Sequence, residues 1–279
     1  MSTARRLLAF TLAVALVLVA TGCKKEPEEP ALEPKLAPPV IITEGVLKVG
    51  VDLGYPPFAG TDDGENAGID VDVAAAIAER LGLRVELVDI KPNEMAAALN
   101  EGTIDIMLGA VSITEAVTAD VSTAGSYLID GPGIFSVVAT DSVPTTLTAA
   151  DLPGKRIGAQ QGSPAFWALE SDFGEGFATA YPSLAEAFKA LEAGELDIIV
   201  GDTAVCAYIA RDYPSVAFVG QFGAAQPLGL AVKKDATELE SAIRETVDAL
   251  AADGTLDTIR TKWLGNIPQL EVPVEASTN

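Results

Sequence analysis

The sequence predicts an α/β fold of two lobes, and three observations support this prediction. Short apolar strands alternate with helices, which is typical of βαβ units. One local pattern occurs twice, as LNEGTIDI at residues 99–106 and as LEAGELDI at residues 191–198, and its two aspartates, Asp105 and Asp197, are expected to be structural. The predicted strands end in polar residues or glycine, where open α/β sheets bind ligands: Asp52, Ser112, Gln161, Gly162 and Asp202.

The composition indicates an acidic chain with enough apolar residues for a packed core. Of the 279 residues, 49% are hydrophobic, and the formal net charge is −22 with no histidine. A chain with this net charge has too few cationic side chains to neutralise phosphates, which argues against nucleic acid as a partner. The acidic surface either attracts cations or serves solubility alone.

Residues 1–22 have the pattern of a secretory signal peptide. Arg5 and Arg6 precede an apolar run from Leu7 to Ala20, which is shorter than the ~20 residues of a membrane-spanning helix. The run leads into the sequence ATGC at residues 20–23, which resembles a bacterial lipobox. That resemblance implies cleavage before Cys23 and lipid attachment to its thiol. The alternative is an ordinary signal peptide, in which Cys23 is incidental.

Residues 23–45 are rich in proline and charge, and they are predicted to form an extended tether. Proline blocks helix and sheet, and the charges oppose collapse. Behind a lipid anchor, this tether would hold the folded body at the cell surface or at the periplasmic face of the cytoplasmic membrane. Lipidation of Cys23 would leave Cys206 without a partner for a disulfide. Cys206 is predicted to be a small, buried, apolar residue.

The first half of the body alternates strands with helices. Asp70 and Asp72 are predicted to cap a helix that ends near Gly82, and Pro56 and Pro57 mark an irregular loop before it. The alternation indicates parallel strands in the sheet. The predicted strands span residues 46–51, 84–90 and 104–108, and the second predicted helix spans residues 93–101.

The second half repeats the alternation and ends in two helices, at about residues 237–252 and 256–263. Lobe 1 is predicted to comprise residues 46–132 and 228–266, and lobe 2 residues 133–227. Two chain crossings would then join the lobes, as in a hinge. Residues 267–279 are expected to be a loose tail. The predicted strands of this half span 134–140, 156–159, 196–200, 216–219 and 228–232, with a short strand near Tyr181.

Several segments, in this order through residues 46–265, carry a family resemblance: VGVDLGYPPFAG, GIDVDVAAAIAERLGL, GTIDIMLGAVSIT, IGAQQGS, AGELDIIVGD and DGTLDTIRTKWLG. Together they resemble the bacterial solute-binding proteins of family 3, the receptors of polar amino-acid ABC importers. The resemblance implies a type II periplasmic-binding-protein fold, with two α/β lobes on a two-crossing hinge that close on a ligand. It implies an ABC permease and ATPase as partners. We expect a monomer without a cofactor.

The resemblance places part of the ligand site in lobe 1. Asp52 and Tyr55 match the first loop that lines the family's pocket, where the aspartate often binds a cationic side chain, and Phe58 lies close by in sequence. Ser112 and Thr114 lie in the S-I-T segment, which contacts the ligand carboxylate through its backbone and hydroxyl groups.

Lobe 2 is expected to supply the other contacts. Gly162 and Ser163 match a turn whose amides meet the same carboxylate, and Asp202 matches the aspartate that binds the ligand's α-ammonium. Alternatively, Asp202 is only the N-cap of the following helix.

One departure from the family pattern changes the expected ligand. The family usually continues S-I-T-x-x-R, and the arginine pairs with the ligand carboxylate, but this chain has Val117 there. Loss of a charged hydrogen bond worth roughly 1.5–3 kcal/mol should weaken carboxylate binding by about one to two orders of magnitude. Asp52 and Asp202 remain and need a cation. We therefore expect an amine-bearing, cationic solute, which includes an amino acid held by hydroxyl and amide groups alone.

Two other functions stay open. Some relatives of this fold are dehydratases or parts of peptidoglycan lyases, but the sequence lacks histidine, a nucleophile beside a base, and a metal-ligand cluster. A lone acid such as Glu115 would be a candidate general acid. The other alternative is a scaffold lipoprotein that has lost ligand binding, as the missing arginine allows. The favoured prediction is a substrate-binding lipoprotein of an ABC importer, not an enzyme.

Overall fold

The described part of the chain contains twelve β-strands and seven α-helices. The computed structural model describes residues 33–112, 119–139 and 144–272. The strands are β1 Val46–Val51, β2 Gly60–Asp62, β3 Glu65–Ala67, β4 Arg84–Asp89, β5 Ile106–Met107, β6 Val121–Asp130, β7 Pro132–Val137, β8 Ile157–Gln160, β9 Thr179–Tyr181, β10 Ile198–Asp202, β11 Val216–Gln221 and β12 Gln226–Lys233. The α-helices are α1 Ile69–Arg80, α2 Pro92–Glu101, α3 Pro164–Phe173, α4 Leu184–Glu192, α5 Thr203–Ala210, α6 Thr237–Ala252 and α7 Thr255–Leu264.

Ten of these strands form two five-stranded mixed sheets, in the orders β4-β1-β5-β12-β6 and β11-β7-β10-β8-β9. Strand β1 pairs in parallel with β4 and β5, and β8 pairs in parallel with β9 and β10. Strand β12 is antiparallel to β5 and β6, and β7 is antiparallel to β10 and β11. The prediction of parallel strands is therefore right for the βαβ units and wrong for the strands at which the chain changes sheets.

The chain passes between the two sheets twice. It leaves the first sheet at Gly131, between β6 and β7, and returns to it between β11 and β12. A Cβ atom at Gly131 would lie 2.8 Å from Cα of Ala225, so the two crossings pack at a distance that only glycine allows. On this basis we propose the lobe division 46–132 with 228–266, and 133–227.

The repeated sequence pattern builds the same local structure in both sheets. Asp105 Oδ2 accepts a hydrogen bond from the Lys48 amide at 2.8 Å, and Asp197 Oδ2 accepts one from the Arg156 amide at 2.8 Å. Each aspartate therefore ties the loop after a helix to the neighbouring parallel strand, at Lys48 within β1 and at Arg156 just before β8. This satisfies a backbone donor of that strand, which is the structural role expected of these two residues.

The start of α1 differs from the prediction. The N-cap position is Gly68, and neither Asp70 nor Asp72 makes a capping hydrogen bond. Asp70 is instead fully buried. Asp72 Oδ2 accepts hydrogen bonds from Lys262 Nζ at 2.6 Å and Trp263 Nε1 at 2.7 Å. The predicted capping roles are therefore wrong, because Asp70 faces the core and Asp72 ties α1 to α7.

The segment before β1 packs onto the first sheet sooner than predicted. Leu36 and Ile41 are buried, and the Ile42 amide donates a hydrogen bond to Asp105 Oδ1 at 2.8 Å. The prediction of a tether that extends to residue 45 is therefore wrong for these residues, because the apolar side chains between the prolines join the core. The predicted signal peptide and Cys23 lie outside the described residues. Among the residues described, no helix has the length and apolar character needed to cross a membrane.

The segment after α7 is also packed, which corrects the predicted loose tail through residue 271. Leu270 is 7% exposed. Gln221 of β11 donates from Nε2 to the Glu271 carbonyl at 2.9 Å and accepts from the Glu271 amide at 2.8 Å. Arg260 Nη1 donates to the Ile267 carbonyl at 2.7 Å. The segment thus joins α7 to the second sheet. Residues 273–279 lie outside the described part of the chain.

We expect Leu270→Ala to lower the free energy of unfolding by about 2–3 kcal/mol, because it removes a buried side chain from the packing between this segment and the body. Val272→Ala is the matched control: Val272 is 42% exposed, and its substitution should change the free energy by about 0.5 kcal/mol or less. Urea unfolding followed by circular dichroism measures both. Equal, small effects would show that Leu270 adds no stability.

Candidate functional site

A cavity of about 630 Å³ lies between the two sheets and beside both crossings, a volume in the usual range for small-molecule sites. Its wall combines the loop after β1, the end of β6, the ends of β8 and β10, and the start of β12. The described residues that line it are Tyr55, Phe58, Ala110, Ser112, Asp130, Gly131, Pro132, Gln160, Ser163, Pro164, Ala165, Leu184, Gly201, Asp202, Val205, Ala224, Gln226 and Leu228.

Most of the predicted site residues meet in this cavity. The wall includes Tyr55, Phe58, Ser112, Ser163 and Asp202. Asp52 and Gly162 are not among the lining residues. Thr114 lies outside the described residues, as does Val117, so their predicted places in the site stay predictions.

Tyr55 and Phe58 form an aromatic part of the wall. Their rings stack with centroids 5.3 Å apart, and Phe58 is buried while Tyr55 is 38% exposed. Burial, together with the nearby charges of Asp202 and Asp130, raises the pKa of Tyr55 above its usual value. Its phenol therefore remains protonated at neutral pH and is available as a hydrogen-bond donor.

Asp52 already has a cationic partner. Its Oδ1 accepts hydrogen bonds from Lys91 Nζ at 2.9 Å and from the Gly54 amide at 3.1 Å. The hydrogen bond from Lys91 is the main cause that holds the pKa of Asp52 below its usual value. Because this carboxylate is neutralised within the chain, its contribution to the binding of a ligand cation stays a prediction.

Asp130 is a candidate site residue that the sequence analysis does not identify. It is the last residue of β6, it is 6% exposed, and it lines the cavity. Its Oδ1 accepts a hydrogen bond from the Ala204 amide at 3.1 Å, in the first turn of α5. The rule that polar residues at strand ends form ligand sites would have identified Asp130, but its segment had not been interpreted as a strand.

Asp202 occupies the N-cap position of α5 without capping it, because its side chain makes no capping hydrogen bond. Asp130 and Thr203 hold this helix start instead: Thr203 Oγ1 donates to the Gly131 carbonyl at 2.7 Å. Asp202 Oδ1 is buried and accepts no hydrogen bond from an N–H or O–H group of the described residues. The interpretation of Asp202 as only a helix cap is therefore wrong.

Asp130 and Asp202 act as a carboxyl pair. Burial first, and then the hydrogen bond and negative charge of Asp202, hold the pKa of Asp130 well above its usual value. Cys206 is buried near the pair, and burial raises the pKa of its thiol. No Lys, Arg or His occurs among the described lining residues, and no cluster suited to a metal ion occurs in the described residues.

Ser112 and Ser163 bring the two lobes' loops to the wall. Ser112 bridges to Leu228 of β12. The loop before it is supported by Tyr127, whose hydroxyl accepts a hydrogen bond from the Ala110 amide at 3.2 Å. Ser163 caps α3, since its Oγ accepts a hydrogen bond from the Phe166 amide at 3.1 Å.

Comparison with known proteins identifies the class of site. Residues 47–266 match the bacterial extracellular solute-binding proteins, family 3. The chain belongs to this family. It is 29% identical over 224 residues to the L-cystine-binding protein TcyJ of Escherichia coli K12, covering 79% of this chain and 83% of that protein. It is 30% identical over 241 residues to an L-arginine-binding protein of Pseudomonas aeruginosa, covering 82% and 91%.

Solved structures of the family confirm the type II periplasmic-binding-protein fold. An ancestral cationic amino acid solute-binding protein, AncCDT-1, superposes with a TM-score of 0.69 at 30% identity, covering 79% of this chain and 96% of that chain. The L-cystine solute receptor of Neisseria gonorrhoeae, in an unliganded open conformation, superposes with a TM-score of 0.70 at 24% identity, covering 81% and 95%. This family member therefore has the solute-binding fold, and the cavity occupies the space between its sheets.

Proposed function

We propose that this protein is the extracytoplasmic substrate-binding component of an ABC importer and that it captures a small, cationic, amine-bearing solute by closure of its two lobes. The observation that carries the proposal is the pair Asp130 and Asp202, in a cavity whose described wall has no cationic side chain. Unpaired buried carboxylates are costly, so a ligand ammonium or guanidinium group would complete the site. The relatives named for arginine and for cationic amino acids support this ligand class.

We also propose that the mature chain is a monomeric lipoprotein, attached to the membrane through Cys23, that delivers its ligand to an ABC permease and ATPase. The ATGC sequence at residues 20–23 supports this anchor. Mass spectrometry of the mature N-terminus distinguishes a lipid-modified Cys23 from ordinary signal-peptide cleavage. An unmodified N-terminus would refute the proposed lipid anchor and would leave the proposed ligand class unaffected.

A thermal-shift screen tests the ligand class. Cationic amino acids and amines should raise the melting temperature, because a ligand at a hundred times its Kd stabilises the folded state by about 2.7 kcal/mol. Glutamate and aspartate should leave it unchanged, since their side chains would add a negative charge beside Asp130 and Asp202. Isothermal titration calorimetry then measures the Kd of each solute that responds. Tight binding of glutamate with no binding of any cationic solute would refute the proposal.

An enzyme of the same fold remains a second candidate, and one observation favours it. The buried Asp130, whose pKa burial raises, lies beside Asp202 at the cavity wall and resembles the pairs of carboxyl groups that divide acid and base roles in enzymes. Incubation of the protein with each solute from the screen, followed by chromatography, separates the two functions. A receptor returns its ligand unchanged, whereas turnover that is lost in Asp130→Asn would identify an enzyme. A scaffold would neither bind nor convert any solute.

A further inference from the structure

We propose that Asp130 is a second ligand-binding carboxylate and that the cavity selects a carboxylate-free amine, of the diamine or guanidinoalkylamine class, over the corresponding α-amino acid. This inference rests on the proposed function, which requires only that the solute is cationic. An α-amino acid would also bring a carboxylate into the cavity, and three features of the cavity disfavour a carboxylate.

The first feature is the charge of the wall. Asp130 and Asp202 are the acidic residues among the described lining residues, and no Lys or Arg occurs among them. Residues 113–118, ITEAVT, contain no cationic residue either, so this segment cannot supply one in any conformation. Lys91 is committed to Asp52 outside the wall. A ligand carboxylate would therefore enter a negatively charged cavity without a cationic partner.

The second feature is the start of α3, where the resemblance placed amides for the ligand carboxylate. The Ser163 amide already donates to the Gln160 carbonyl at 3.1 Å, and the Phe166 amide donates to Ser163 Oγ. Pro164 has no N–H. Gly162 and Ala165 are thus the residues of this turn whose amides have no acceptor among the described residues. Of the two, only Ala165 lines the cavity, which leaves little capacity to bind an anion there.

The third feature is the arrangement of acceptors. Asp130 ends β6 and Asp202 ends β10, so two strands from different sheets bring carboxyl groups to one place. An ammonium group has three donors and can bond to both carboxylates at once. The stacked rings of Tyr55 and Phe58 add an apolar wall, with faces that attract cations. An amine with an alkyl chain matches this combination of acceptors and rings.

Matched ligand pairs test the inference on the full chain. We would measure Kd by isothermal titration calorimetry for agmatine against arginine, cadaverine against lysine and putrescine against ornithine, where the members of each pair differ by one carboxylate. The amine of at least one pair should bind about tenfold more tightly or better. If the amino acid binds more tightly in every pair that binds, the inference fails and the proposed function stands. If no member of any pair binds, the inference fails, and the wider thermal-shift screen decides the proposed function.

A variant tests the role of Asp130 separately. Asp130→Asn keeps an oxygen that can accept from the Ala204 amide, so the start of α5 should be preserved. It should weaken amine binding by about tenfold to a hundredfold, and it should reduce the preference for the amine over the paired amino acid. Asp172→Asn removes an exposed carboxylate of α3 and is the control for net charge. Unchanged amine affinity in a folded Asp130→Asn protein would overturn the assignment. If this variant does not fold, the matched pairs on the unmodified chain still decide the selectivity.

Discussion

The substitution Asp202→Asn is expected to raise the Kd for the cationic ligand about a hundredfold or more. Removing one partner of a buried charge pair typically costs about 3–5 kcal/mol, which corresponds to more than two orders of magnitude in affinity. The structural cost should be small, because Asp202 neither caps α5 nor pairs with a cationic residue of the described chain. Asp130 and Thr203 hold the start of that helix instead.

Calorimetry with the solute that gives the largest thermal shift measures this effect. Asp172→Asn, which removes one exposed carboxylate from α3, should bind within a factor of about three of the unmodified protein, since surface substitutions change free energies by about 0.5 kcal/mol or less. Circular dichroism must show that both variants are folded. An Asp202→Asn protein that is folded and binds as tightly as the control would place the ligand elsewhere and contradict the site.

The sequence predicted the elements whose signals are local, and it failed where tertiary contacts decide the conformation. The repeated pattern at residues 99–106 and 191–198 correctly predicted two similar α/β units. Strand β6 was missed because VSTAGSYLID contains an internal glycine, which usually weakens a strand. In the structure, Gly125 has φ +121 and a Cβ there would lie 3.3 Å from Val247. The glycine therefore allows α6 to pack closely on the strand.

Part of the candidate site could also be predicted from local sequence patterns. Tyr55, Ser163 and Asp202 lie in short segments whose pattern identifies them in the sequence itself. The role of Asp130 depends on the N-terminus of α5, which lies 74 residues further along the chain. The partner of Asp52, Lys91, lies 39 residues away. No local pattern encodes such pairings, so the charge balance of the cavity becomes visible only when the fold brings these elements together.

The substitution Asp70→Asn is expected to change how stability depends on pH. Both carboxyl oxygens of Asp70 are buried and accept no well-formed hydrogen bond from the described residues. Burial raises its pKa from 3.8 to about 7, and the nearby Tyr127 hydroxyl and the amides of Gly109 and Ala110 offset only part of that increase. Between these two pH values the folded state holds a proton that the unfolded state has lost, so the contribution of Asp70 to stability falls as the pH rises through this window.

Because asparagine does not ionise, the free energy of unfolding of Asp70→Asn minus that of the unmodified protein should increase between pH 4 and pH 7. The increase should reach on the order of 4 kcal/mol as an upper limit. Urea unfolding at half-unit pH steps measures this difference, in which the contributions of the other carboxyl groups cancel. Asp62→Asn, on exposed strand β2, reports the effect of lost net charge alone. If the change between pH 4 and pH 7 is as small for Asp70→Asn as for Asp62→Asn, burial does not govern the ionisation of Asp70. Water would then reach the Asp70 carboxyl group at the start of α1.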